Sequence, residues 1–89
     1  MANQKLNNEK TFPTPNSALA AWLWSQGFEP IQFIITQHPG LTVFENSDAL
    51  KQCRRLWEVG KAEGNCNTFY SRYRTILERL AASRVWKHP

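Results

Sequence analysis

The basic side chains of the C-terminal half are the first residues of this chain whose type and spacing indicate a chemistry. Residues 51–89 carry nine Lys or Arg against three acids, whereas residues 1–50 carry two Lys against four acids. Clustered Lys and Arg attract phosphate backbones strongly. Arg72, Arg79 and Trp86 follow one another at intervals of seven residues, which places them on one flank of a helix that extends so far. The candidate nucleic-acid residues are Arg72, Arg79, Arg84, Trp86 and Lys87, with Lys51 and Arg55 as additions.

A second interpretation of these arginines is structural. Arg residues beside an apolar helix stripe commonly lay their stems along the core and keep the guanidinium in water. Glu58 follows Arg54 by four residues and lowers the positive field around it. A plain solvated helix face is therefore the alternative to nucleic-acid binding.

The four tryptophans are the second unusual feature of this chain of 89 residues. A small core cannot readily enclose so many of the largest side chains, so some should be exposed, and exposed aromatic patches usually mark contact surfaces. Trp57 falls within an apolar helix stripe and is expected in the core. The candidate residues for self-association, or for an unidentified protein partner, are Trp22, Trp24, Ile34 and Val43. The alternative is that each Trp lies flat over the edge of the core.

The residue types that carry catalysis or metal binding are sparse. Two Cys and two His, separated along the chain, do not provide the three or four converging ligands of a zinc site. No Ser, Cys or Thr stands beside a recognisable general base, and the four Gly do not form a phosphate-binding loop. Cys53 lies on the apolar side of a helix and is expected to be an inert packing thiol. We therefore predict a protein that is not an enzyme and needs no metal or cofactor.

Length and composition indicate one folded domain. The chain has 42% apolar and 20% charged residues, close to the average of globular proteins. Residues 1–10 are polar and lack periodicity, so we expect a disordered N-terminal arm before a domain that spans residues 11–86. The arm shows no secretory signal, and the longest apolar run, Ala18–Trp24, is shorter than the roughly 20 residues that cross a bilayer. We expect a cytoplasmic protein without membrane contact.

Caps, breakers and periodicity predict an α+β fold with two layers. The expected order is an extended segment at Thr11–Pro15, a helix at Ser17–Gln26, a β-hairpin, a helix from Asp48 to about Gly60, and a helix that ends near Arg84. The expected N-caps are Asn16 or Ser17, then Ser47, then Asn67 or Thr68. Pro13 and Pro15 lack a backbone donor, so the first segment is expected to be an edge strand or a bracing loop.

The predicted hairpin combines Ile31–Gln37 with Leu41–Glu45, two segments rich in strand-forming residues. His38-Pro39-Gly40 is expected to join them through a type II turn, which would place Ile35 opposite Phe44. The predicted core face holds Phe33, Ile35 and Phe44, and the other face holds Ile34, Thr36, Val43 and Glu45. The helices are expected to pack on the first of these faces, because a hairpin alone is only marginally stable.

The run from Phe12 to Phe28 resembles the opening of a family of small uncharacterised bacterial and phage domains. In that family a Thr precedes a short Leu-Ala-Ala-type helix that ends in Gly, here Thr14, Leu19-Ala20-Ala21 and Gly27. A hydrophobic hairpin with a Phe near its end and an aromatic terminal helix follow, here Val43-Phe44 and then Phe69, Tyr70 and Tyr73. Pro13 and Pro15 depart from the family pattern. The resemblance covers residues 11–80 and implies the order of elements, and because the family has no assigned function it implies no site residue.

Overall fold

The computed structural model of the chain describes residues 10–85 and the side chains of residues 10–83. Its elements are β1 (Thr11–Thr14), α1 (Ser17–Ser25), β2 (Pro30–Ile34), β3 (Leu41–Glu45), α2 (Asp48–Glu58) and α3 (Cys66–Val85). Within this described part, three helices and a three-stranded antiparallel sheet form an α+β domain, and the predicted order of elements is confirmed. Residues 1–9 of the predicted N-terminal arm lie outside the described residues.

The first two helices begin at side chains that cap free backbone N–H groups. Asn16 Oδ1 accepts a hydrogen bond from the Leu19 N–H at 3.1 Å, so Asn16 is the cap of α1. Ser47 Oγ accepts from the Leu50 N–H at 3.1 Å and caps α2 as predicted. Both helices therefore start where the sequence indicates.

The third helix begins earlier than expected. Asn65 Oδ1 accepts a hydrogen bond from the Thr68 N–H at 3.0 Å, and α3 starts at Cys66. The prediction that Asn67 or Thr68 caps this helix is wrong, because another Asn stands two residues before Asn67 and reaches the same set of free N–H groups.

The sheet has the strand order β1-β3-β2, so β3 is central and both neighbours are edge strands. Phe12 of β1 lies opposite Phe44 of β3, and Ile34 of β2 lies opposite Leu41. The N-terminal extended segment is thus an edge strand. Its exposed Pro13 is tolerated there because an edge strand has one side without ladder hydrogen bonds.

The hairpin register differs from the prediction. The connection spans residues 35–40 rather than a two-residue turn, and Phe44 pairs with Pro30 instead of Ile35. An irregularity between Pro30 and the next paired residue leaves Ile31 outside the regular ladder. Such a bulge adds one residue to one strand and bends it.

Gly40 lies where the connection between β2 and β3 packs on α3. Its backbone is not in the left-handed region that a type II turn requires at this position, so the predicted turn is wrong. A Cβ at Gly40 would lie 3.0 Å from the Ile34 carbonyl oxygen, 3.0 Å from Leu80 Cδ2 and 3.1 Å from Ser83 Oγ. Gly40 is needed because the loop backbone packs directly against α3.

The core lies between the sheet and the helices. Phe44, Leu50 and Ile76 have no exposed surface, and consecutive residues 20–23 of α1 are at most 5% exposed, so this helix is buried on every side. The predicted core-face residues Phe33, Ile35 and Phe44 all belong to this core or pack against it. The predicted face is therefore confirmed although its register is wrong.

Candidate interaction surfaces

Trp22 is a core residue. Only 5% of its surface is exposed, its indole N–H donates to the Glu63 carbonyl oxygen at 2.9 Å, and its ring centroid lies 5.8 Å from that of Trp57. The expectation that Trp22 is exposed is wrong, because the loop between α2 and α3 meets the side of α1 that carries this ring. No periodic pattern in the sequence reveals that contact.

Trp24 lies on the edge of the core. It is half-buried and packs against the core cluster, and the guanidinium carbon of Arg72 lies 4.6 Å from its ring centroid. Arg72 Nε is buried and has no hydrogen-bond partner within the described structure. Trp24 thus fits the alternative interpretation, in which a tryptophan lies flat over the edge of the core. Its ring also contacts the guanidinium of Arg72.

The second face of the sheet offers less apolar surface than expected. Val43 is only 4% exposed, and its place on the central strand puts it in register between Pro13 and Gln32. Ile34, on the edge strand, is half-buried. The expectation of an exposed Val43 is wrong, because neighbours on two strands flank it.

Ile31 is the exposed apolar residue that sequence reasoning missed. It is 56% exposed and lies at the irregularity of β2, between Pro30 and Gln32. The residues that surround it in a groove of about 430 Å³ are Gly27, Phe28, Glu29, Glu45 and Ser47. The available signal was Pro30 at the start of the strand, since Pro inside a strand favours an edge or a bulge.

The predicted basic flank of α3 is present in part. Arg79 is exposed, with its guanidinium carbon 5.6 Å from the Phe33 ring centroid, and Arg72 lies over Trp24 on the same helix. Both guanidinium groups lie over aromatic rings within the range of a cation–π contact. The Arg84 side chain and the residues Trp86 and Lys87 lie outside the described part of the chain.

The basic residues of α2 do not join this flank. Lys51 and Arg55 are exposed, and the guanidinium carbon of Arg54 lies 3.8 Å from the Phe12 ring centroid in β1. Arg79 contacts β2, which is at the opposite edge of the sheet. The two groups of cations therefore approach different edges, and the structure does not combine them into one surface.

The helices carry other exposed apolar side chains. These are Leu56, Tyr70 and Leu77, at 44%, 60% and 38% exposed, and Val59, which follows α2 at 64%. Leu56 stands six residues after Leu50, the buried residue of α2, and therefore lies on a different side of the helix. Exposed Arg55 and Arg74 lie beside these side chains along the chain.

Catalytic and metal-binding groups are dispersed in the described structure. Among residues 10–85 there is no group of three or more His, Cys, Asp or Glu that could hold a metal ion. Cys53 is half-buried and packs against the core, Cys66 is exposed, and both are free thiols. His38 and Ser83 line a small cavity of about 140 Å³, where Ser83 Oγ already donates to the Leu80 carbonyl oxygen at 2.7 Å.

Comparisons with known proteins identify no family for the chain. No family model, curated protein or solved structure matches it significantly. The resemblance to small bacterial and phage domains therefore stays a prediction. In the part of the chain that the structure describes, no helix combines the length and apolar character that spanning a membrane requires.

Proposed function

We propose that this domain is a non-enzymatic interaction module that associates with a second copy of itself. The observation that carries the proposal is Ile31, a large apolar side chain that is 56% exposed on an edge strand. It belongs to residues 30–37, a stretch without a charged side chain in a chain with a net charge of +4. Uncharged strand edges are surfaces through which sheets pair. This association requires neither Trp22 nor Val43.

The cavity around His38 supports the non-enzymatic part of the proposal. A serine nucleophile needs a base that is itself oriented by a third group. No carboxylate lines this cavity, and the Ser83 hydroxyl donates a hydrogen bond to the backbone of its own helix.

The free thiols Cys53 and Cys66 suit a reducing compartment, so we propose the cytoplasm as the location of the protein.

The test of the proposed function is a light-scattering concentration series of the full chain at low and high salt. We expect the mass to rise from one copy to two copies as the concentration increases. A mass of one copy at every concentration up to about 1 mM, where association by about −4 kcal/mol would be detected, would contradict the proposal.

A second candidate function is binding of single-stranded nucleic acid, which is favoured by Arg72 and Arg79 on one flank of α3. Their guanidinium groups lie over Trp24 and Phe33, which holds the half-buried Arg72 and the exposed Arg79 in place. Single strands are held by cations and by stacking surfaces, and their binding weakens steeply with salt.

The second candidate is tested with Arg72→Glu combined with Arg79→Glu, using a short fluorescent single-stranded oligonucleotide and the same salt series. We expect wild-type binding to weaken with salt and the double variant to lose most of its affinity. Equal affinity of the double variant and the wild type would remove this candidate. Its failure would leave the self-association proposal intact, because no oligonucleotide takes part in that assay.

A further inference from the structure

The outer edge of β2 has no partner strand in the structure. β2 pairs with β3 on one side, and within residues 10–85 no backbone hydrogen bond from another segment reaches its other side. In an antiparallel sheet, alternate residues of an edge strand turn their N–H and C=O groups away from the neighbouring strand. This edge therefore presents a row of unpaired main-chain groups.

The two edges of the sheet differ in their protection against pairing. On β1, Pro13 removes a donor and charged Lys10 stands directly before the strand. On β2, Glu29 stands directly before the strand, and Pro30 and the bulge at Ile31 protect its beginning, but no Lys, Arg, Asp or Glu follows until Glu45. Natural edge strands are usually blocked by Pro, by bulges or by charged side chains. The segment from Gln32 to Ile35 lacks all three.

We propose that the β2 edge of a second copy pairs antiparallel with this segment and makes one six-stranded sheet across a two-fold axis. This proposal rests on the proposed self-association and adds its location. An antiparallel pair of identical strands is self-complementary, which is the condition for a closed two-fold contact. Because Pro13 protects the other edge, the assembly stops at two copies.

The other exposed apolar surfaces fit a second copy less well. The second face of the sheet presents Val43, which is already 4% exposed, so covering it adds little buried area. The exposed apolar residues of the helices stand among charged side chains that a contact would have to desolvate, namely Arg55 with Glu58 and Arg74 with Glu78. The β2 segment combines free main-chain groups with no charged side chain of its own, and the nearby cation is Arg79 of α3 over Phe33.

The geometry of a two-fold pair predicts which side chains meet. Residues that lie directly opposite across antiparallel strands point to the same face, so the axis must pass through a residue, either Phe33 or Ile34. With the axis at Ile34, the pairing extends into the start of the connection, and Gln32 lies opposite Thr36 of the second copy. With the axis at Phe33, the two Gln32 side chains are diagonal neighbours, about 7–8 Å apart. Equal charges placed at positions 32 and 36 repel in both arrangements.

The experiment compares two double variants of the full chain by light scattering and sedimentation. Gln32→Lys/Thr36→Lys and Gln32→Glu/Thr36→Glu change exposed side chains, so the monomer fold should be retained, which far-UV circular dichroism checks. We expect each variant alone to dimerise at least about 10-fold more weakly than the wild type, because like charges oppose each other. An equimolar mixture of the two should dimerise again through opposite charges.

A matched control adds the same two charges elsewhere. Gln52→Lys/Ser71→Lys alters exposed positions on α2 and α3, and it should dimerise like the wild type. If both strand variants dimerise like the control, or if the mixture stays monomeric, the edge location is wrong while self-association stands. If the wild type itself is monomeric at every concentration, both the proposed function and this inference fall.

Discussion

The indole N–H of Trp22 in α1 donates a hydrogen bond to the backbone carbonyl of Glu63, 41 residues further along the chain, at 2.9 Å. The side-chain amide of Gln26 donates to the same oxygen at 2.9 Å. One carbonyl of the loop between α2 and α3 is thus held by two side chains near the end of α1. This contact closes the loop over Trp22 and turns a residue expected at the surface into a core residue.

We predict that Trp22→Phe lowers the free energy of unfolding by about 1–2 kcal/mol, because it removes a half-buried hydrogen bond and part of a ring contact with Trp57. The measurement is urea unfolding followed by circular dichroism. Gln26→Ala is the control and should cost less, because its hydrogen bond is exposed. Self-association should not change in either variant, and a Trp22→Phe protein of wild-type stability would contradict the role of this contact.

A second prediction concerns Gly40, where the loop between β2 and β3 packs on α3. Gly40→Ala should destabilise the fold by about 1–3 kcal/mol, because the new Cβ crowds the Ile34 carbonyl and the Leu80 side chain at 3.0 Å. The matched control is Gly64→Ala, whose Cβ would meet the end of the flexible Gln26 side chain at 2.9 Å, which can move aside. Thermal or urea unfolding of both variants measures the two losses of stability. Equal losses would mean that close packing is not the reason for Gly40.

The elements of the fold could be predicted from local signals. Ser47 before an amphipathic run indicates the start of α2, and Gly27, with φ of +107°, ends α1 as a residue without a Cβ can. The face of the hairpin could also be predicted, since Phe33 and Phe44 remain on the core side. The register could not, since the connection spans residues 35–40 and places Gly40 against Leu80 of α3, a contact that the turn sequence does not indicate.

The exposed and buried residues of the candidate interaction surfaces could be predicted less well than the elements of the fold. Trp22 is buried by a loop and Val43 by a third strand. The periodicity of α1 and β3 does not indicate these distant contacts. Exposure of Ile31 follows from a bulge, which shifts one residue out of the expected alternation. The flank that joins Arg72 to Arg79 was predictable, since it needs only the period of one helix.

A third prediction separates the central strand from the edge strand. Val43→Lys should lower the free energy of unfolding by about 2 kcal/mol or more, because it places a charge where 4% of the side chain is exposed. Ile34→Lys should cost less, since a half-buried lysine at an edge can extend its ammonium into water. Urea unfolding at low protein concentration measures the monomer. The reverse order of the two losses would contradict the described burial.

The last prediction uses Arg79 to distinguish the two candidate functions. A two-fold pairing through β2 places both copies of α3 on the same side of the sheet, with Arg79 over Phe33 next to the shared edge. Like charges there oppose dimerisation and are screened by salt, so the wild-type dimer should become tighter as salt increases. Arg79→Gln should dimerise more tightly than the wild type at low salt and show less dependence on salt.

For nucleic-acid binding the same variant should have the opposite effect, because it removes a phosphate partner. Its affinity for the oligonucleotide should be weaker, and the salt slope should fall by about one. Light scattering and oligonucleotide titration of this one variant give both readings. If the wild-type dimer weakened as salt increased, and Arg79→Gln weakened it further, the expected proximity of the two copies of α3 would be contradicted.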